Sequence, residues 1–325
     1  MPGADDAAGT LSRKRHKRYN FHMDPSNLYP APRQTLSYLR ELFIGHRLHP
    51  KNKLGQNFLI DLNLVDFIVR SAELTRADLA LEIGSGTGNL TERLANEAGA
   101  ILTVEIDPAF FELARETVHD KDNVRLLNAD ALKSKNQMNP EVLTALDEVR
   151  AKYRSQRMKL VANLPYAVAT PVISNLLIAG VDFERMIVTV QWEIAEKLVA
   201  QPSTKEYGAL AVLIQALADV EVLRKLPPTV FWPKPKVDSG IVRILPNAEK
   251  RKLIPDVQRF RHFLRDLYSH RRKNLRGSLI SFTGNQHQKA VVDNTLAQLG
   301  YTGTERAETL SIAQHLQLCE AFRAD

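Results

Sequence analysis

The sequence predicts an α/β fold, a mostly parallel, doubly wound sheet followed by a small all-α C-terminal domain. Three observations predict it. From about residue 62, short apolar runs rich in β-branched residues alternate with amphipathic stretches, the pattern of repeated strand–helix–strand units. A glycine-rich turn, Gly84-Ser85-Gly86-Thr87-Gly88, joins the first such run to a helical stretch. After Pro246 the apolar spacing is helical to the end of the chain.

The elements follow in order. Residues 34–46 suit a short amphipathic helix with Leu36, Leu39, Leu42 and Phe43 on one face. Residues 64–72 are helical in pattern, 79–83 read as the first strand, and 90–97 as a helix ended near Gly99. Residues 101–106 form the second strand, and Asp107-Pro108 supplies an N-cap with Pro at the first helical position. Strands are expected at 124–127, 160–162 and 186–190, and a polar, helical connection at 133–158. Residues 209–223 and 240–245 have the character of two more strands, separated by the Pro-rich segment 227–235. Beyond Pro246, Phe260, Phe263, Leu264 and Leu267 share one helix face, and further helices are expected at 288–299 and 308–323. The organisation predicted is a disordered basic tail over 1–30, an α/β domain over 31–246 and a helical domain over 247–325.

Composition narrows the function classes. No apolar run reaches the ~18 residues of a membrane span, and no apolar stretch follows the N-terminal charges, so neither a membrane segment nor a secretory signal is expected. Cys319 is the only cysteine, which argues against a disulfide framework and a Cys-based zinc site and fits a reducing, cytoplasmic setting; no metal is expected. The net charge of +7 is unevenly spread. Residues 1–60 carry ten Lys/Arg against four Asp/Glu, and residues 224–276 carry fifteen against four. Two basic segments on an acidic body point to a polyanion surface separate from a small-molecule site.

The chemistry-bearing residues fall at predicted strand ends, where open α/β sheets bind ligands. Glu82 precedes the glycine turn, whose lack of side chains lets a ligand approach the backbone and the following helix N-terminus. Glu105 ends the second strand, where a carboxylate can accept ribose hydroxyls. A dinucleotide site has the same parts, but its spacing is G-x-G-x-x-G rather than the G-x-G-x-G found here. Asp130, in Asn128-Ala129-Asp130-Ala131, is placed to accept from an adenine amine, which favours S-adenosylmethionine. Asn163-Leu164-Pro165-Tyr166 ends the fourth strand. Its Asn oxygen and a turn carbonyl can accept from an exocyclic amine, and the Tyr face can stack on a base.

With these motifs in place the chain resembles the ribosomal RNA adenine dimethyltransferase family, in its small-subunit, KsgA-type branch. The likeness spans about residues 50 to 323 and includes residues 54–59, Tyr207-Gly208-Ala209-Leu210, the run 231–239 and Arg271-Arg272-Lys273-Asn274-Leu275-Arg276. It implies a Rossmann-like class I methyltransferase domain that transfers methyl groups from S-adenosylmethionine to the N6 amines of two adjacent adenosines near the 3′ end of small-subunit (16S) rRNA. It further implies a role in small-subunit maturation, a substrate within the 30S pre-ribosomal particle, and a monomeric enzyme. Carried over by position, Asn57, Leu59, Gly84, Glu105, Asp130 and Asn163 would hold the donor. Asn163, Leu164, Pro165 and Tyr166 would hold the target base, and Phe231, Lys234, Lys236, Arg271, Arg272, Lys273 and Arg276 would contact RNA. A core role beside the prolines is an equal reading of Phe231.

Departures from the family pattern are Ala167-Val168-Ala169, where a more polar run is usual, and Trp192, where a basic residue is common. The tail and the segment 133–158 exceed the usual length. Alternatives are a large-subunit rRNA methyltransferase of the antibiotic-resistance type, a non-catalytic ribosome-assembly or nucleic-acid-binding relative and, more distantly, a nicotinamide oxidoreductase.

Overall fold

The computed structural model describes residues 36–51, 54–269, 272–282 and 288–322. The expected tail over 1–30 and Arg271 lie outside them. Helix α1 (Leu36–Gly45) is followed by β1 (Phe58–Leu59), α2 (Leu62–Ser71) and β2 (Asp78–Ile83). The alternation continues through α3 (Asn89–Glu97), β3 (Ala100–Glu105), α4 (Pro108–Thr117) and β4 (Val124–Asn128). A hairpin of β5 (Leu132–Ser134) and β6 (Gln137–Met138) and then α5 (Pro140–Tyr153) return the chain to β7 (Arg157–Asn163). Next come α6 (Tyr166–Ala179), β8 (Phe183–Gln191), α7 (Trp192–Val199), α8 (Ala209–Gln215), β9 (Ala218–Leu226), β10 (Phe231–Trp232) and β11 (Ser239–Pro246). The remaining helices are α9 (Ala248–Lys252), α10 (Val257–Ser269), α11 (Leu275–Ile280), α12 (Lys289–Gln298) and α13 (Ile312–Ala321).

Seven strands form the main sheet in the order β4-β3-β2-β7-β8-β11-β9. The first five run parallel, and β11 is antiparallel to both β8 and β9. Every residue of β2 and β3 is buried, as expected where helices cover both faces of a parallel sheet. The strand order reverses between β2 and β7, which opens a crevice at their carboxyl ends.

At the opposite end of these strands a buried ion cluster closes the sheet. Asp78 accepts from Lys159 Nζ at 3.1 Å and from Arg157 Nε at 2.7 Å. Burial opposes its charge, but hydrogen bonds from Lys159, Thr75 and Arg157 hold the Asp78 carboxyl below its usual range.

Two expectations need correcting. Residues 209–215 form a helix, not a strand; a short continuous apolar run suits either, and here Ala211–Ile214 are buried against neighbouring helices and strands. The connection 133–158 opens with the β5–β6 hairpin and becomes helical only at Pro140, where Asn139 caps by accepting from the Glu141 N–H. The helix faces expected after Pro246 are present: Phe260, Phe263, Leu264 and Leu267 are buried. They join the same apolar cluster as Leu160, Val188 and Val212, so apolar packing is continuous from the sheet into the C-terminal helices.

A small, separate cluster fixes the N-terminal segment. Leu39 and Phe43 of α1 pack with Phe110 and Leu113 of α4, and with Phe58 and Trp232. The β1–β10 ladder pairs Phe58 with Trp232 and Leu59 with Phe231, tying residues 54–59 to the Pro-rich run.

Candidate active site

The crevice is built first from backbone. β2 ends at Ile83, and Gly84, at φ +87°, turns the chain; a Cβ there would lie 3.3 Å from Pro165 Cδ. Gly86, at φ +54°, faces Phe58, whose Cε1 would be 2.9 Å from an added Cβ. Only glycine fits this turn, held between Pro165 and Phe58. Gly88 caps α3 without a side-chain hydrogen bond, which leaves the first helical N–H groups to a ligand or water.

Carboxylates surround the turn in different roles. Glu105, at the end of β3, accepts from the Gly86 N–H at 2.9 Å and the Asp107 N–H at 3.0 Å. Burial raises its pKa against those two donors. Glu82 lies behind the turn, where one oxygen accepts from Thr91 at 2.5 Å and Thr103 at 2.7 Å. Burial pushes Glu82 up to about 7. It pins α3 to β3, so its role here is structural. Asp130 is exposed and stiffened by its own loop: its carboxylate accepts from the Leu132 N–H at 2.9 Å, and its carbonyl from Asn139 at 2.8 Å.

The residues after β7 face this turn. Asn163 Nδ2 donates to the Asn57 carbonyl at 2.9 Å. Gly55, at φ +65°, lies so close that a Cβ would be 3.3 Å from the Tyr166 nitrogen. Tyr166 opens α6, and its hydroxyl meets Ser239 Oγ at 2.6 Å. Burial raises its pKa, so the phenol is neutral at physiological pH. The loop before β1 is clamped from its far side by Asp107, which pairs with Lys51 Nζ at 2.8 Å and accepts from Gln56 at 3.2 Å.

These parts enclose a cavity of about 260 Å³ that includes Asn57, Leu59, Gly84, Glu105, Asp130 and Asn163 in its wall, all six positions expected to hold the donor. Leu164, Pro165, Tyr166, Ala167 and Val168 complete it, with Val168 half-buried and apolar where the family pattern led one to expect polarity. Ser85 Oγ is buried in this wall without a hydrogen-bond partner. Among the described residues the wall contains Glu82, Glu105 and Asp130 and no Lys or Arg. An acidic, uncharged-backbone cradle with a spare hydroxyl suits a cationic nucleoside such as S-adenosylmethionine better than a pyrophosphate.

The RNA-contact expectations divide. Lys234 and Lys236 are exposed on the segment between β10 and β11, and Arg272 and Lys273 are exposed before α11. Arg276 forms a two-pronged ion pair with Asp293, so its guanidinium is already engaged. Of the two equal readings of Phe231, the core one fits: it is 2% exposed, is paired with Leu59 and packs with Leu226 and Ile241. Gln56, Ser85, Asp107 and Ser239 escaped the sequence reading as site residues. Asp107 was legible only as a helix cap, and Ser239 only as the end of a motif.

The model for the family described as ribosomal RNA adenine dimethylase matches residues 47–322. A ribosomal RNA small subunit methyltransferase A from Levilactobacillus brevis is 38% identical over 282 residues, covering 85% of this chain and 91% of the relative. Its namesake from Pelotomaculum thermopropionicum is 36% identical over 285 residues, covering 87% and 95%. Among solved structures, a dimethyladenosine transferase from Plasmodium falciparum superposes with a TM-score of 0.63 at 23% identity, covering 79% of this chain and 94% of its own. The 23S rRNA methyltransferase ErmE superposes with a TM-score of 0.55 at 25% identity, covering 81% and 98%.

Proposed function

From the premise that this chain belongs to the ribosomal RNA adenine dimethylase family, we propose that its crevice transfers methyl groups from S-adenosylmethionine to two adjacent adenosines near the 3′ end of small-subunit rRNA. The protein is an S-adenosylmethionine-dependent rRNA adenine N6,N6-dimethyltransferase. The observation that carries the site assignment is the Asn163–Asn57 hydrogen bond of 2.9 Å, which sets the amine-accepting group against the donor loop.

The donor supplies an electrophilic methyl on a sulfonium. Glu105 and Asp130 are the acceptors for its ribose hydroxyls and adenine amine, and the Gly84–Gly88 turn takes its amino-acid part, with Ser85 Oγ as a further partner. Because Asn163 commits its NH₂ to Asn57, its oxygen remains to accept from the target amine, together with the Leu164 carbonyl. Two such acceptors hold the amine nitrogen pyramidal and in line with the methyl. The N–H becomes acidic only after attack, so no strong base is required. Tyr166, its ring oriented by Ser239, stacks on the extruded base and offsets unstacking by ~1–3 kcal/mol. The apolar wall of Leu164 and Val168 excludes water as the sulfonium charge is lost.

Residues 31–246 act as the catalytic unit. The helices over 247–325, with Lys234, Lys236, Arg272 and Lys273, present the RNA of the 30S pre-ribosomal particle. We place the enzyme in the cytoplasm as a monomer taking part in small-subunit maturation; no described helix is long and apolar enough to cross a membrane. The large-subunit alternative shares the fold, as ErmE shows, but the relatives at 36–38% identity are small-subunit methyltransferases, and the dimethyladenosine transferase superposes better than ErmE, with a TM-score of 0.63 against 0.55. The assay is methyl transfer from labelled donor to under-methylated small subunits, with the labelled positions mapped. Label at two adjacent adenosines near the 3′ end supports the assignment, and label on large-subunit rRNA overturns it.

A further inference from the structure

Outside the pocket wall, but linked to Tyr166, stands an aromatic ring with a cation on it, on residues with no role above. Trp192 directly follows β8 and opens α7. Its backbone N–H donates to the Asp238 carbonyl at 2.9 Å, and the next residue, Ser239, holds the Tyr166 hydroxyl at 2.6 Å. Two hydrogen bonds, through Asp238 and Ser239, therefore link Trp192 to Tyr166 on the target side of the pocket. Gly240 makes room for the indole: a Cβ there would lie 3.3 Å from Trp192 Cε3 and 2.9 Å from Ala195 Cβ. Lys225, opposite Gly240 in the β9–β11 ladder, places its ammonium 4.5 Å from the indole centroid and 3.0 Å from the Asp238 carboxylate.

Space-filling explains the indole edge against Gly240 but not the rest. Trp192 is only half-buried, and the Lys225 side chain is 50% exposed. An exposed ion pair and an exposed cation–π contact each hold a lysine weakly. Lys225 is thus oriented by Asp238 and Trp192 and exchangeable, so a phosphate oxygen can replace the carboxylate at little cost. The exposed Arg224, Lys234 and Lys236 lie on the same and adjoining segments. A base drawn into the pocket leaves its neighbour without a stacking partner, and an indole linked through Asp238 and Ser239 to Tyr166 can supply one.

We propose that Trp192 and Lys225 form a nucleotide subsite for single-stranded RNA, in which Lys225 binds the phosphate and Trp192 contacts the base adjoining the one in the pocket. The subsite rests on the rRNA reading above. The test compares the wild type with Lys225→Met, Trp192→Ala and Trp192→Phe. It measures binding of a single-stranded RNA containing two adjacent adenosines as a function of salt, methyl transfer to under-methylated small subunits, and S-adenosylmethionine binding. Lys225→Met should weaken RNA binding about tenfold and reduce the salt slope by about one. Trp192→Ala should raise KM for the small subunit about tenfold with kcat and donor Kd unchanged, and Trp192→Phe should recover most of the loss. In a Trp232→Phe background Trp192 is the only tryptophan left, and RNA should quench its emission. Wild-type salt slope and KM in the variants, with the wild type active, would overturn the subsite alone. A wild type that neither binds RNA nor methylates small subunits would overturn the rRNA reading with it.

Discussion

Asn163 and Asn57 meet through a single hydrogen bond, Nδ2 to carbonyl at 2.9 Å, across 106 residues of sequence. That bond orients the amide: with its NH₂ engaged, the oxygen is the face left for an incoming amine. It also makes the donor loop and the acceptor group one rigid unit, since Gly55 lies against Tyr166 and Phe58 against Gly86.

Gly84 is the first test of that packing. Alanine there would carry a φ of +87°, with its Cβ 3.3 Å from Pro165 Cδ. Left-handed backbone costs a non-glycine residue roughly 1–2 kcal/mol, and the contact displaces Pro165. Gly84→Ala should weaken S-adenosylmethionine binding about tenfold or more in a calorimetric titration. An unchanged donor Kd would show that the turn does not cradle the donor.

Glu105 should matter to the donor alone. Glutamine retains one oxygen for the Gly86 or Asp107 N–H but loses the charge and the second acceptor. A hydrogen bond to a charged group is worth about 1.5–3 kcal/mol, so Glu105→Gln should weaken donor binding roughly 10- to 100-fold. RNA affinity should be unaltered, and a matching loss of RNA binding would assign Glu105 to the fold rather than the donor.

Tyr166 separates stacking from hydrogen bonding. Tyr166→Phe gives up the 2.6 Å contact with Ser239 and keeps the ring, so transfer should fall only a few-fold. Tyr166→Ala removes the stacking face and should raise KM for the small subunit about 10- to 100-fold, from ~1–3 kcal/mol per base. Equal losses in the two variants would contradict the stacking role.

Glu82 gives a pH signature. Its folded pKa of about 7 lies above the ordinary value of 4.5, so the folded state holds the proton more tightly. Below the ordinary value both states are protonated and the site costs nothing. As pH rises from there to about 7 the unfolded chain ionises first, and stability falls by up to about 1.4 kcal/mol per pH unit before levelling off. Glu82→Gln should flatten that slope in chemical unfolding measured between pH 4.5 and 7. An identical pH profile in the variant would remove Glu82 as its source.

What short-range pattern encodes was legible in the sequence. The alternation from residue 62, the glycine turn, Glu105 and the Asn163–Tyr166 run all occupy strand ends as expected, because each depends on local periodicity and backbone chemistry. What was not legible depends on partners distant in sequence. The two-residue ladder of Phe58–Leu59 with Phe231–Trp232 is too short to leave a period, and it is that ladder which buries Phe231. The run at 209–215 is apolar at nearly every position, so periodicity could not separate a buried strand from a buried helix. Engagement of Arg276 by Asp293 is likewise a tertiary fact, as a basic run reads the same whether paired or free.

Asn163 lines the donor pocket, but its main role in this scheme is activation of the target amine. That role is tested most directly by single-turnover methyl transfer to under-methylated small subunits by Asn163→Ala, with donor binding titrated in parallel. Losing a preorganised group that acts at the reacting centre should slow transfer at least ~100-fold. Losing the Asn57 hydrogen bond should weaken donor binding by no more than about 1 kcal/mol, roughly fivefold. Transfer at the wild-type rate, or a rate loss fully accounted for by lost donor binding, would contradict the account.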